Sequence, residues 1–311
     1  MAFKPFPGYE QQLETYRAIA HGTAEEKKAA LRAQRKALLA PEVTGVTFED
    51  LYIDGLEAGH IMQLRVCRPE GVKGPLPLVL DIHGGGWTAG APETDDYRNS
   101  LLAKGIPAVV VSPDYRLAKD GVHYPDPLND CLTALQWLVK HAEEMGIDPA
   151  RIGLYGTSAG GNIAAGLLFY MHEHGGPEIS VAALLNPTLK LGSSPSRVRN
   201  KDFALDSENW ALAKAHAYLG DLDREHPPVA AFPGHAEDVS FLPTVILVGS
   251  EYCPLVDDVV DFAKKLLDAG VHCELILTPG TAHGYCATPG PMTQWTMDGI
   301  CLTMKREFGL L

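Results

Sequence analysis

A serine flanked by glycines is the strongest chemical signal in the sequence. Residues 156–160 read Gly-Thr-Ser-Ala-Gly, the G-x-S-x-G spacing, between a short apolar run, Ile152–Tyr155, and an apolar helical pattern. A strand, a sharp turn and a helix in this order form a nucleophile elbow, where bulky neighbours of the serine would collide. The segment therefore predicts that Ser158 is a nucleophile exposed above the carboxyl ends of the strands.

Three consecutive glycines form the second signal. Residues 83–87 read His-Gly-Gly-Gly-Trp and follow the apolar run Leu76–Ile82. Successive glycines leave backbone N–H groups unobstructed, as an oxyanion hole requires. A glycine triplet alone is equally typical of a flexible turn. Upstream of a G-x-S-x-G turn in an alternating α/β pattern, it indicates a hydrolase oxyanion loop.

Together with a third motif, these segments resemble a known family. HGGGW at 83–87, DYRLA at 114–118 and GTSAGGN at 156–162 are similar to the motifs of bacterial hormone-sensitive-lipase-like esterases in the α/β-hydrolase superfamily. The resemblance is densest over residues 76–170 and resumes at 244–285. It implies hydrolysis of carboxylic esters, usually with short acyl chains, and the threonine before the serine suggests the GTSAG subgroup.

The resemblance also implies roles for individual residues. Ser158 would be the nucleophile, and the backbone N–H groups of Gly85, Gly86 and Ala159 would bind the oxyanion. His83 would brace the glycine loop. No cofactor or metal ion is expected in such a site.

The general base is expected on a loop after the last strand. His283 lies in such a loop, after the run Glu274–Leu277, and precedes a glycine and a tyrosine where the family usually has His-Gly-Phe. An imidazole with a pKa near 7 can take the serine proton during attack and return it to the leaving alkoxide. His283 is therefore the predicted base.

The third member of the expected triad departs from the family pattern. The family places an aspartate in a DPLxDE-like motif after the seventh strand, whereas residues 249–258 here read GSEYCPLVDD. Cys253 stands where the carboxylate is expected. A neutral thiol is a poor partner for an imidazolium, so the orientation and charge support of the histidine are in question.

Three interpretations of this departure remain open at the level of sequence. A neighbouring carboxylate could replace the missing acid, with Asp257, one helical turn on, preferred to Glu251. Asp257 has a second explanation, since the helix dipole favours an acidic residue in a first turn. Alternatively, the enzyme runs as a Ser–His dyad at reduced rate, or the chain is a non-catalytic relative that binds ligands. An amidase or peptidase-like hydrolase would use the same machinery.

Short apolar strands alternating with helical patterns predict a mostly parallel sheet covered by helices on both faces. The resemblance to the esterases implies that this sheet belongs to an α/β-hydrolase fold. An initial pair, Val46–Ile53 and Ile61–Cys67, is predicted to be joined by a glycine-containing turn. The later predicted strands are Leu76–Ile82, Ala108–Ser112, Ile152–Tyr155, Val181–Leu185, Thr244–Val248 and Glu274–Leu277. The predicted intervening helices are Asn129–Glu144, Ala159–Glu173 and Asp257–Ala269.

The predicted domain organisation has a core and a cap. Residues 1–45 are predicted to form N-terminal cap helices, with Thr23 and Glu26 at capping-box spacing. Residues 46–311 form the hydrolase core, and an insertion at about 190–240, with one clear helix at Asp206–Leu219, completes the cap.

Composition excludes several partners. The 311 residues carry a net charge of −13, which argues against a nucleic-acid or anionic-membrane surface. The six cysteines show no CxxC pair, and the amino terminus lacks the apolar core of a signal peptide, so we expect reduced thiols in a cytoplasmic protein. The expected partner is a small-molecule ester, and the family resemblance is compatible with a homodimer.

Overall fold

An eight-stranded, mostly parallel sheet forms the centre of the molecule. The computed structural model describes residues 4–203 and 208–311, and its strand order is β1-β2-β4-β3-β5-β6-β7-β8. The strands are β1 (Val46–Asp54), β2 (Ile61–Pro69), β3 (Leu76–Ile82), β4 (Val109–Pro113), β5 (Ile147–Thr157), β6 (Val181–Leu185), β7 (Thr244–Ser250) and β8 (Cys273–Thr278). β2 is antiparallel to β1 and β4, and the remaining pairs are parallel.

Helices cover both faces of this sheet. They are α1 (Glu10–His21), α2 (Ala24–Leu38), α3 (Asp96–Gly105), α4 (Asp126–Lys140), α5 (Ala142–Met145), α6 (Ala159–His174), α7 (Pro195–Arg199), α8 (Glu208–Leu219), α9 (Val256–Asp268) and α10 (Pro291–Glu307). Within the described ranges, no helix is both long enough and apolar enough to cross a membrane.

The core lies in two apolar layers, one on each face of the sheet. Along β3, alternate residues divide between them: Leu78 and Leu80 belong to one layer, and Val79 belongs to the other. A parallel strand buried on both faces must be apolar at nearly every position. Burial on both faces therefore explains the uninterrupted apolar runs of the sequence. The predicted α/β-hydrolase fold is confirmed.

The amino-terminal segment forms two helices, α1 and α2, which are separated at Gly22. The predicted capping box is present: the Thr23 side chain accepts from the Glu26 N–H, and the Glu26 carboxylate accepts from the Thr23 N–H. This box starts α2 directly after Gly22. Unlike α1, which buries Leu13, Tyr16 and Ile19, α2 buries none of its residues.

The connection between β6 and β7 contains α7 and α8. The predicted helix at Asp206–Leu219 is observed from Glu208 to Leu219, and its first two residues lie outside the described residues. The division into an N-terminal cap, a core and an inserted cap segment stays a prediction.

Two core helices, α3 and α10, lie outside the predicted set. The buried face of α3 carries Arg98, Asn99 and Ser100 beside Leu102 and Ala103. Because three of these five residues are polar, the sequence lacks the apolar periodicity by which a buried helix is recognised.

The turn from β5 into α6 holds the backbone in a sparsely populated conformation. Ser158 has φ 60° and ψ −119°, a region that residues with side chains rarely occupy. Gly160 allows α6 to approach β3 closely, because a Cβ at this position would lie 1.9 Å from the carbonyl oxygen of Ile82. The predicted elbow is therefore present, and close backbone packing holds it.

We predict that Gly160→Ala destabilises the fold by about 3 kcal/mol, because the added methyl group meets backbone rather than a movable side chain. Thermal unfolding measures the effect as a lower Tm.

Gly299→Ala is the matched control. Gly299 lies inside α10, where a Cβ finds no atom closer than 3.6 Å, so alanine should leave the Tm unchanged or raise it through helix propensity. Equal Tm values for the two variants would contradict the packing argument.

Candidate active site

Ser158 and His283 meet above the carboxyl ends of the parallel strands. Ser158 begins α6, and His283 lies on the loop after β8. The distance from Ser158 Oγ to His283 Nε2 is 2.9 Å, a hydrogen bond. The arrangement is that of a nucleophile and its general base.

The glycine loop lies beside this pair because β3 and β5 are neighbours in the sheet. Ile82 is in register with Gly156, so the loop after β3 and the elbow after β5 leave the sheet at the same edge. Within the described part of the chain, the N–H groups of Gly85 and Gly86 donate no hydrogen bond to another backbone or side-chain group. Ala159 opens α6, and the first N–H groups of a helix have no intrahelical acceptor. These three groups are available to an oxyanion.

Two contacts that the sequence did not indicate fix the glycine loop. The indole N–H of Trp87 donates to Oδ1 of Asn162 at 3.1 Å, which joins the two motifs. The Trp87 ring also stacks on Tyr218 of α8, with ring centroids 4.8 Å apart. On the other side, His83 is buried, stacks on Tyr115 and forms a hydrogen bond through Nδ1 to the Gly84 carbonyl oxygen. Its expected bracing role agrees with these contacts.

The thiol of Cys253 lies against the second ring nitrogen of His283. Cys253 Sγ lies 3.1 Å from His283 Nδ1, and the Leu255 N–H approaches the same sulfur at 3.3 Å. β7 and β8 are parallel neighbours, with Ser250 in register with Thr278, so the loops that carry the two side chains leave the sheet together.

The two carboxylates considered as replacements lie elsewhere. Asp257 Oδ2 accepts the N–H of Ser196 at 2.7 Å, and Glu251 Oε2 accepts the N–H of Gly280 at 2.7 Å. Among the described residues, no carboxylate forms a hydrogen bond or ion pair with His283. We therefore correct the expectation that Asp257, or alternatively Glu251, contacts the base. The two side chains instead bind backbone N–H groups, of Ser196 in α7 and of Gly280 in the loop after β8, and Nδ1 faces the thiol.

Burial sets the protonation states of this pair. It raises the pKa of the Cys253 thiol to about 12, so the sulfur stays neutral. It also lowers the pKa of His283 to about 4, because the imidazolium is poorly hydrated there. The site consequently holds a neutral imidazole over most of the pH range, and among the described residues no carboxylate gives it the fixed negative charge of a complete triad.

Tyr16 of α1 holds the backbone of the histidine. Its hydroxyl donates to the His283 carbonyl oxygen at 2.5 Å and accepts from the Gln34 side chain of α2 at 3.1 Å. The Tyr16 side chain is buried. Sequence analysis missed this residue because the contact joins positions 267 residues apart and matches no local motif.

Asn200 holds the loop of Cys253 in a comparable way. Its side-chain amide donates to the carbonyl oxygens of Glu251 and Cys253, at 2.9 and 3.0 Å. The amide is buried, and both of its donors are used. Tyr16 thus holds His283, and Asn200 holds Cys253, each through a backbone carbonyl oxygen. Neither Tyr16 nor Asn200 belongs to the sheet.

A cavity of about 1480 Å³ opens above Ser158 and His283. Its walls come from α1, α2, the glycine loop, the segment after β6 and α8. Within residues 4–203 and 208–311, no three His, Cys, Asp or Glu side chains are grouped as metal ligands.

Comparison with known proteins gives a consistent result. A family profile described as the alpha/beta hydrolase fold matches residues 79–287. The carboxylesterase NlhH of Mycobacterium tuberculosis is 38% identical over 226 residues, which are 71% of this chain and 70% of that protein. The esterase LipI of the same organism is 35% identical over 269 residues, 86% of this chain and 82% of that protein. The solved structure of a bacterial heroin esterase superimposes with a TM-score of 0.84 at 29% identity and covers 98% of both chains.

We predict that Tyr16→Phe lowers kcat about fivefold, because the His283 carbonyl loses a hydrogen bond of about 1 kcal/mol that positions the ring. Steady-state kinetics on a small ester should show a larger change in kcat than in KM. Tyr52→Phe is the control, since Tyr52 is 67% exposed. If the two variants have the same kcat, Tyr16 does not position the base.

Proposed function

The chain belongs to the α/β-hydrolase family, in its hormone-sensitive-lipase-like branch, and we propose that it is a serine carboxylesterase that works through Ser158 and His283. The observation that carries the proposal is the 2.9 Å hydrogen bond between Ser158 Oγ and His283 Nε2 beside available N–H groups. Hydrolysis of esters agrees with the names of its relatives, carboxylesterase and esterase.

In the acylation step, Ser158 Oγ attacks the ester carbonyl carbon while His283 Nε2 takes the hydroxyl proton. The negative charge that develops on the carbonyl oxygen is stabilised by the N–H groups of Gly85, Gly86 and Ala159. These N–H groups are already oriented toward the position of the oxyanion, so no reorganisation is needed when the charge develops. They therefore stabilise the transition state. The C–O bond then breaks, and the proton on His283 passes to the leaving alkoxide.

Deacylation repeats these steps with water as the nucleophile. His283 takes a proton from the water molecule that attacks the acyl-serine, and the same N–H groups stabilise the second oxyanion. When the tetrahedral species collapses, Ser158 leaves and regains its proton from His283. The products are a carboxylic acid and an alcohol, and the cycle needs no other group.

We propose that Cys253 acts as a neutral positioning residue, so that the machinery is a Ser–His dyad. The 3.1 Å contact with Nδ1 can orient the ring, yet a neutral thiol adds no charge to stabilise the imidazolium that forms during attack. Loss of the triad aspartate lowers kcat about 10⁴-fold in the serine protease used as the standard worked case. A slow enzyme with a weakly basic histidine is therefore expected.

The proposal also covers the acyl chain length, the subgroup, the cap, the cellular location and the oligomeric state. Short acyl chains and the GTSAG subgroup rest on the motif resemblance. A cap formed by residues 1–45 and 190–240 is supported by the position of both segments at the cavity. Sequence composition supports a cytoplasmic location. The family resemblance supports a homodimer.

We predict that Ser158→Ala abolishes turnover of a short-chain p-nitrophenyl ester and also removes the initial burst of p-nitrophenol. The acyl-enzyme cannot form without the hydroxyl group. Ser240→Ala, at an exposed position, is the control and should retain both signals. Unchanged turnover in Ser158→Ala, or no turnover in the intact protein, would overturn the assignment.

We predict that Cys253→Asp raises kcat at least tenfold and moves the acidic limb of the kcat/KM profile to higher pH. A carboxylate beside Nδ1 stabilises the imidazolium, which raises the pKa of His283 from about 4 toward its ordinary value. Since the base must be neutral to act, the unaltered enzyme keeps its activity to lower pH than the variant does.

Asp257→Asn serves as the control for this pH profile, because an asparagine oxygen can still accept the N–H of Ser196. The control should leave kcat and the acidic limb in place. If Cys253→Asp changes neither quantity, or if Asp257→Asn shifts the limb, a carboxylate already supports the base and the dyad proposal is wrong.

A further inference from the structure

The cavity above Ser158 is basic in a strongly acidic chain. Its basic lining includes Lys28, Arg32 and Arg35 of α2, together with Lys201 and Lys214. Among the residues that the structure describes, Asp95 supplies the only acidic side chain in the lining. The net charge of the whole chain is −13, so the local excess of positive charge opposes the overall balance.

Part of this positive charge is already neutralised by protein carboxylates. The neutralised pairs are Arg98 with Asp95, Lys190 with Asp261 and Arg197 with Asp258. By contrast, Lys28, Arg32, Arg35 and Lys201 form no ion pair with any described residue. The part of the cavity wall formed by α2 and Lys201 therefore keeps a surplus of positive charge. This charge lines the space where a substrate binds.

Lys214 brings positive charge close to the reaction centre. Its ammonium group donates a hydrogen bond to the Thr88 hydroxyl, and the Thr88 N–H donates to the Gly86 carbonyl oxygen at 2.7 Å. The side chain thus lies against the oxyanion loop. Burial lowers the pKa of Lys214.

We propose that the natural ester carries a carboxylate, and that the basic lining of the cavity recognises this group. The inference rests on the proposed function, because it names the substrate class of the same Ser158 site. Ammonium and guanidinium groups form charge-assisted hydrogen bonds with carboxylates, and a cleft lined by one sign of charge concentrates ligands of the opposite sign. The carboxylate can belong either to the acyl part or to the alcohol part of the ester.

Two pairs of isosteric esters test the proposal and distinguish these two positions. Monoethyl adipate is compared with ethyl 5-carbamoylpentanoate for the acyl part, and 4-acetoxybenzoate with 4-acetoxybenzamide for the alcohol part. In each pair, the first ester carries a carboxylate and the second carries an uncharged carboxamide at the same position. The measured quantity is kcat/KM relative to the uncatalysed rate, determined at neutral pH in low salt.

We expect the carboxylate member of at least one pair to be preferred about tenfold, which corresponds to about 1.4 kcal/mol. About 0.5 M NaCl should reduce the preference at least threefold, because salt screens the rim charges. Lys214→Gln, or the double variant Arg32→Gln/Arg35→Gln, should also reduce it. Lys264→Gln removes the same charge from an exposed site on α9 outside this cavity and should leave the preference unchanged.

The possible results distinguish failure of the substrate inference from failure of the proposed ester hydrolysis. If Ser158-dependent hydrolysis is equal for carboxylate and carboxamide in both pairs, the substrate inference is wrong while ester hydrolysis stands. A preference that survives high salt and both sets of variants would also overturn the inference, because the basic lining would not be its source. If only a short-chain p-nitrophenyl ester is hydrolysed and none of these four, the substrate inference is wrong. If the p-nitrophenyl ester is not hydrolysed either, the proposed function itself fails.

Discussion

The close approach of α6 to β3 is the constraint on which the site depends. At Gly160 the two backbones are so near that no side chain fits, and the turn before it holds Ser158 at a positive φ. Such a conformation persists only where its surroundings over-determine it. The parallel pairing of β3 with β5 supplies that frame and also delivers the oxyanion loop to the same edge. Nucleophile and oxyanion donors are thus positioned by a single packing relationship.

The parts of the molecule that follow from local chemistry could be predicted from the sequence. The elbow and the strand Leu76–Ile82 are examples, because each is encoded by a short contiguous pattern. The helix α3 could not be predicted from periodicity, since its buried face is partly polar. Tyr16 and Asn200 also leave no local signal, because each acts on the carbonyl oxygen of a residue distant in sequence. Long-range polar contacts of this kind depend on the completed fold.

The acid position illustrates both the strength and the limit of motif reasoning. The resemblance to the family motif pointed to Cys253, and the sulfur of this residue contacts Nδ1 of His283. The choice between Asp257 and Glu251 required knowledge of competing donors, and backbone N–H groups bind both carboxylates. Proximity in sequence cannot reveal such competition. The resulting site is a neutral network in which burial, rather than an ion pair, controls the basicity of the imidazole.

The chain of hydrogen bonds from Gln34 through Tyr16 to the His283 carbonyl links the cavity roof to the base. Since α2 buries none of its own residues, this hydrogen bond is one of the contacts that hold it against α1. Side chains of α2 also line the cavity. The cavity wall and the position of the base are therefore connected through a single hydroxyl group, that of Tyr16.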